Sequence, residues 1–187
     1  NYESLTTIYG PIETWDVSLI VDFTALFNSK RNPVVSNYTA TYDLDLSHWP
    51  IGGGQHHNSD NVNSDDTSST SSTHIILADM FYGATHMNFN VAQWETARVT
   101  RFQGLFELTD TFTGDGLETW NVEQGIYFMS MFSSAKGLKE ELDVQLATKW
   151  KPAFQQQQQQ QSPQVVISIK NMFRDSSFQG NLCQWKQ

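Results

Sequence analysis

The stretch from Val91 to Phe106, VAQWETARVTRFQGLF, carries a spacing that the rest of the chain repeats. Counted from Trp94, its apolar residues Val91, Val99, Phe102, Leu105 and Phe106 fall at −3, +5, +8, +11 and +12. A first copy uses Ile12, Trp15, Ile20, Phe23, Leu26 and Phe27. A second opens with Leu46 and Trp49, is interrupted, and resumes at Leu77, Met80 and Phe81. The fourth has Leu117, Trp120, Phe128, Met131 and Phe132, with Gly125 where an aliphatic residue stood. Trp150 begins a fifth that continues, after another interruption, with Val166, Ile169, Met172 and Phe173; a sixth stops at Leu182 and Trp185. All six tryptophans therefore occupy one place in the motif. One unit of this kind cannot bury its own apolar face, so the copies must stack.

The spacing predicts an α/β leucine-rich-repeat-like solenoid of about five and a half coils, one domain over residues 1–187. Each coil is expected to hold a short strand and a short helix. Val99, Phe102, Leu105 and Phe106 lie on one face of a two-turn helix, and Val91 to Thr96 suits a brief extended segment. The core column is then Trp15, Trp49, Trp94, Trp120, Trp150 and Trp185 with Phe27, Phe81, Phe106, Phe132 and Phe173. Three insertions break the period, at 28–41, 50–73 and 151–164. The second is nearly devoid of apolar residues and the third holds seven consecutive glutamines, Gln155 to Gln161, so each reads as a surface loop.

Charge narrows the partners. The 187 residues carry a formal net charge of −9, which leaves no excess of Lys and Arg for a phosphate backbone or an anionic membrane surface. No unbroken apolar run exceeds four residues, far below the roughly 20 that span a bilayer. The expectation is no nucleic acid and no membrane insertion. Cys183 is the one cysteine, which rules out an internal disulfide framework. It reads as a small core hydrophobe of the last copy, with an intermolecular disulfide as the alternative. The chain starts at Asn1 rather than Met, the expectation for a processed or excerpted product.

No catalytic constellation emerges. There is no Gly-x-Ser-x-Gly elbow, and Gly52-Gly53-Gly54 is not followed by Lys-Ser/Thr. His48, His56 and His57 near Asp60, Asp65 and Asp66 match neither a zinc spacing nor a calcium loop. The chain reads as a non-enzyme with no metal and no cofactor. Asn37, in Asn37-Tyr38-Thr39, is a glycan acceptor if the protein is secreted by a glycosylating cell, and Thr67 to Thr73 reads as an O-glycosylated run or a plain loop.

Trp15-Asp16-Val17, Met80-Phe81-Tyr82-Gly83-Ala84, Leu117 to Val122 and Phe178 to Trp185 resemble the repeats of BspA-like surface proteins. Those repeats are a divergent relative of leucine-rich repeats, found on bacterial and protist cell surfaces. The likeness covers about residues 9–186 outside the insertions. It implies an extracellular or cell-surface solenoid that acts through protein–protein contacts in adhesion or assembly, and it brings no catalytic residues. Two other expectations stand beside it. One is a structural subunit that stacks head to tail through its solenoid ends into a filament or layer. The other is a glycan-binding module that uses any tryptophan left exposed.

Overall fold

The computed structural model describes residues 7–31, 44–52, 74–159 and 166–185, with the backbone alone for 151–159 and 184–185. Asn37, the residues 56–73 and most of the first two insertions lie outside that set, as does the side chain of Trp185.

The first four copies open the same way. The N–H of Trp15, Trp49, Trp94 and Trp120 donates to the carbonyl three residues earlier, on Ile12, Leu46, Val91 and Leu117. Three-residue 3-10 turns, Ile12–Thr14 and Leu117–Thr119, precede Trp15 and Trp120, and Leu182–Trp185 ends on the sixth tryptophan. The Asp or Asn after Trp then closes a local turn: Asp16 Oδ1 accepts from Ser18 N and Asn121 Oδ1 from Glu123 N, both at 2.9 Å. This bond directs Val17 and Val122 inward, where both are buried.

Extended backbone follows the tryptophan rather than accompanying it. Strand β1 is Ile75–Ile76 and β2 is Val99–Arg101, paired in parallel through Ile75–Val99 and Ile76–Arg101. Single parallel bridges carry the pairing outward, Asp22–Ile76 on one side and Arg101–Tyr127, Tyr127–Ser168 on the other. The strand expected at Val91 to Thr96 is instead turn and loop, ending in a 3-10 turn at Thr96–Arg98.

Among the described residues, the two-turn helix expected from Val99 to Phe106 and its equivalents is also replaced. Phe102, Gly104, Phe106 and Leu108 donate to Tyr127, Met129, Met131 and Ser133 of the following copy, at 2.8–2.9 Å. The same four-rung comb joins Phe23, Ala25, Phe27 and Ser29 to Ile76, Ala78, Met80 and Tyr82. Leu77 to Gly83 reach Arg101 to Glu107, and Phe128 to Ser134 reach Ser168 to Arg174, in identical register. Intervening N–H groups bond locally instead, as Leu105 to Phe102 and Glu107 to Gly104. Such i→i+3 turns with a positive φ at the third residue are type II. That residue is Ala25, Asp79, Gly104, Ser130 or Asn171, with φ between 54 and 58°. An α-helix tolerates no left-handed residue, so the spacing that reads as helical is met by a run of turns. Each non-glycine in this region costs roughly 1–2 kcal/mol, which four inter-copy hydrogen bonds per junction offset.

The Phe at +12 forms a column through the stack. Phe27, Phe81, Phe106, Phe132 and Phe173 lie 5.3 to 5.8 Å apart between successive centroids, with planes within 10°. Trp49, Trp120 and Trp150 each pack against the aromatic pair of the copy before, and Trp94 against Phe81 alone of its predecessor, whose other place holds Leu77. Trp49 meets Phe23 and Phe27, and Trp120 meets Phe102 and Phe106, at 5.7 to 6.4 Å. Gly125 belongs to this packing, because a Cβ there would stand 2.3 Å from the Phe128 ring. The missing aliphatic side chain is room taken by Phe128.

Helix α1, Glu141–Gln159, departs from the expected plan. The insertion placed at 151–164 is helical as far as Gln159, so its first part is not a loop. Gln, Ala and Lys are adequate helix formers, and Pro152 does not end the helix. Leu142, Leu146 and Trp150, one per turn on one face, are buried against the core.

Candidate functional site

The two residues flanking the first rung face away from the core in each copy, except that Ala78 of the second copy is buried. The residue before the first rung is Asp22, Ile76, Arg101, Tyr127 or Ser168, one per copy, linked by the parallel bridges. The residue after it is Thr24, Ala78, Gln103, Met129 or Lys170. These positions make two parallel rows of side chains on an ordered backbone. Arg101 lies over the Tyr127 ring at 5.1 Å, a cation–π contact that fixes both side chains. Tyr127 is 37% exposed and Met129 38%, and Arg101 and Lys170 are exposed beside them. Tyr, Arg and Met are the side chains enriched where proteins meet.

A second group lies further along the turns, at the residue two before or one after the Phe column. Lys30 Nζ is 2.5 Å from Tyr82 Oη and 4.7 Å from that ring's centroid. The Tyr82 hydroxyl holds the Lys30 ammonium above its ordinary pKa, with Glu107 adding attraction. Asp79 and Glu107 are both raised, chiefly by burial, and Asp79 raises Glu107 further. Asp79 Oδ1 sits where a Cβ on Gly104 would be, at 2.1 Å, so glycine makes room for that carboxylate. Elsewhere Lys139 Nζ bonds both oxygens of Asp115, at 2.6 and 2.8 Å, and lowers its pKa.

Trp49, Trp94, Trp120 and Trp150 are 0–5% exposed, with Phe27, Phe81, Phe106 and Phe132 at most 3%. Phe173 is partly buried and packs on the core. Trp15, expected in the core column, is instead 43% exposed, because among the described residues no aromatic pair of an earlier copy covers its ring. Cys183 is exposed and free, against the expectation of a core position, because the 3-10 turn Leu182–Trp185 packs Leu182 on the core and leaves its neighbour outward. Of the histidines and acids weighed as a metal cluster, His48 alone is described, and it bonds Ser47 Oγ through Nδ1 at 3.0 Å. Among the described residues no helix is long and apolar enough to cross a membrane.

The two outward rows leave little trace in the sequence because they lie beside the apolar residues that set the register. Their signal is the alternation Arg101-Phe102-Gln103, whose apolar residue is buried between two polar ones, Arg101 exposed and Gln103 half-buried.

The family model described as "Mycoplasma protein of unknown function, DUF285" matches residues 54–165. No curated protein and no solved structure matches the chain.

Proposed function

Since the chain belongs to the DUF285 family, we propose from its geometry that it is a non-enzymatic surface protein working through protein–protein contacts. In this reading the stacked copies are a leucine-rich-repeat-like solenoid of the BspA-like kind, exposed outside the cell. The observation that carries it is the comb. Equal rungs from Asp22 to Ser168 hold two rows of side chains at fixed spacing, a rigid platform whose residues vary while its backbone does not. A pre-ordered surface loses little side-chain and loop entropy on binding, and the Arg101, Tyr127 and Met129 group is its best-formed patch. Beads coated with the chain should adhere to cells, and Arg101→Ala, Tyr127→Ala and Met129→Ala together should reduce adhesion at least tenfold without lowering the melting temperature. Unchanged adhesion, or recovery of the protein from the cytosolic fraction alone, counts against the reading.

Head-to-tail stacking is a second reading with its own support. In the described stack the carbonyls of Asp22, Thr24, Leu26 and Asn28 accept no hydrogen bond, and the N–H groups of Ile169, Asn171, Phe173 and Asp175 donate none. These are the acceptors and donors that the comb joins everywhere between. Leu26 and Ile169, beside them, are 41% and 43% exposed. A second copy, or a further coil of a longer polypeptide, offers the matching edge. Leu26→Lys blocks one edge and Ile169→Asp the other. Stacking predicts that each variant alone is monomeric while an equimolar mixture forms a dimer and nothing larger. A wild-type chain that stays monomeric at high concentration overturns it.

A further inference from the structure

We propose that the cleft beside Trp15 is a saccharide-binding site. The starting observation is the contrast among the described tryptophans: Trp15 is 43% exposed where the other four are 0–5%. Exposure here is not looseness. The indole N–H of Trp49 donates to Ile12 O, that of Trp94 to Leu46 O and that of Trp120 to Val91 O, in each case the −3 residue of the preceding copy. Trp15 makes the equivalent bond to Tyr9 O, at 3.1 Å, in the short segment before it. Its N–H is thereby taken and its ring held in place, leaving ring surface as what it offers to solvent.

That ring lines a cleft of about 630 Å³ with Glu13, Asp16, Asp45 and His48, within the size range of sites that take small organic ligands. The polar groups around it are mostly acceptors in fixed positions. Asp16 and Asp45 are each pinned through one oxygen by the backbone N–H of Ser18 and Ser47, at 2.9 Å. The Ser47 side chain and then its N–H for Asp45, and the Ser18 N–H and side chain for Asp16, keep both carboxylates ionised to lower pH than usual. Among the described residues Glu13 Oε2 is buried with no hydrogen-bond partner, an acceptor whose desolvation no described group offsets.

The chemistry that fits is a ring with an apolar C–H face and a rim of O–H donors. The C–H face lies on the indole, and the hydroxyls donate to the carboxylates in short charge-assisted bonds. A lone ammonium would leave most of the cleft empty, and an aliphatic chain would leave Glu13 Oε2 unsatisfied. A pyranose meets both conditions. This inference is independent of the protein-contact reading, since the cleft and the Arg101–Tyr127 rows share no residue.

The test is iodide quenching of tryptophan fluorescence on the full 187-residue chain, with Trp15→Ala identifying Trp15's share of the signal. The probes are cellotriose, mannotriose and chitotriose at millimolar concentration. At least one should protect the Trp15 share saturably. Trp15→Ala and Glu13→Gln should weaken that sugar's binding at least tenfold by calorimetry, while the melting temperature stays within a few degrees. Trp15→Phe, which keeps a ring, should retain most of it. No protection by any of the three, or binding that survives Trp15→Ala, overturns the proposal. So does protection by an arginine-rich peptide alone, lost in high salt, which would make the cleft a cation site.

Discussion

Trp120 and Trp150 fill the same socket from different backbones. Trp120 arrives on a loop after the 3-10 turn Leu117–Thr119 and rests on Phe102 and Phe106. Trp150 arrives on the third turn of α1 and rests on Phe128 and Phe132, at 6.2 and 6.4 Å. The helix replaces the whole first half of a copy, yet the aromatic contact survives. What the stack requires is therefore a large flat side chain at one point of each junction. How the chain delivers it is free to vary, which is how an insertion can enter without breaking the column.

Replacing either tryptophan is the strongest way to break this equivalence. Trp120→Ala and Trp150→Ala should each destabilise the fold by about 3–5 kcal/mol, as measured by denaturant unfolding. If Trp150→Ala costs under about a third of the Trp120→Ala value, the helix only decorates the stack. Leu146→Ala, which removes the helix's own fully buried anchor, should cost about 2–5 kcal/mol.

Next in size is the left-handed residue of the comb. Gly104→Ala should cost about 1–2 kcal/mol from φ +58° alone, with more from the Asp79 carboxylate that occupies the Cβ position. Making the same change in an Asp79→Ala background should recover the second part. Ala25 holds the same place with φ +57°, so alanine is strained there but not forbidden.

Asp79 also sets a pH dependence. Its folded pKa is raised by burial above the ordinary 3.8, so the folded state holds its proton more tightly than the unfolded one. The resulting penalty is absent below pH 3.8 and grows as pH rises through the folded value. Asp79→Asn removes the charge and keeps a residue suited to left-handed backbone, as Asn171 shows at the same place three copies on. It should raise the melting temperature at pH 7 and leave it unchanged below pH 3.8. Asp115 has the opposite sign: Lys139 lowers its pKa, so Lys139→Met should cost stability at pH 7 and nothing in strong acid. Smallest of all is Trp15→Ala. Half-exposed and at the edge of the column, it should change stability by no more than about 0.5–1 kcal/mol.

The stacking of copies was legible because aromatic burial leaves a fixed spacing, and the tryptophan and phenylalanine positions follow from it. The backbone between them was not. Positions +5, +8, +11 and +12 suit an amphipathic helix equally well. What argues against a helix is the run of small and turn-forming residues at one position, Asp79, Gly104, Ser130 and Asn171, visible only when copies are aligned on the column. Trp150 was placed in the right register, but the spacing of Leu142, Leu146 and Trp150 that lays them on one helix face lies upstream of the motif. The outward rows and the cleft are products of pairing between copies, which no single copy records.

The comb itself can be observed through hydrogen-bond scalar couplings by nuclear magnetic resonance on deuterated protein. Couplings should link the amide nitrogens of Phe102, Gly104 and Phe106 to the carbonyl carbons of Tyr127, Met129 and Met131. Coupling of the Phe106 amide to the Phe102 carbonyl instead would mean a helix at Val99 to Phe106 and would contradict the account.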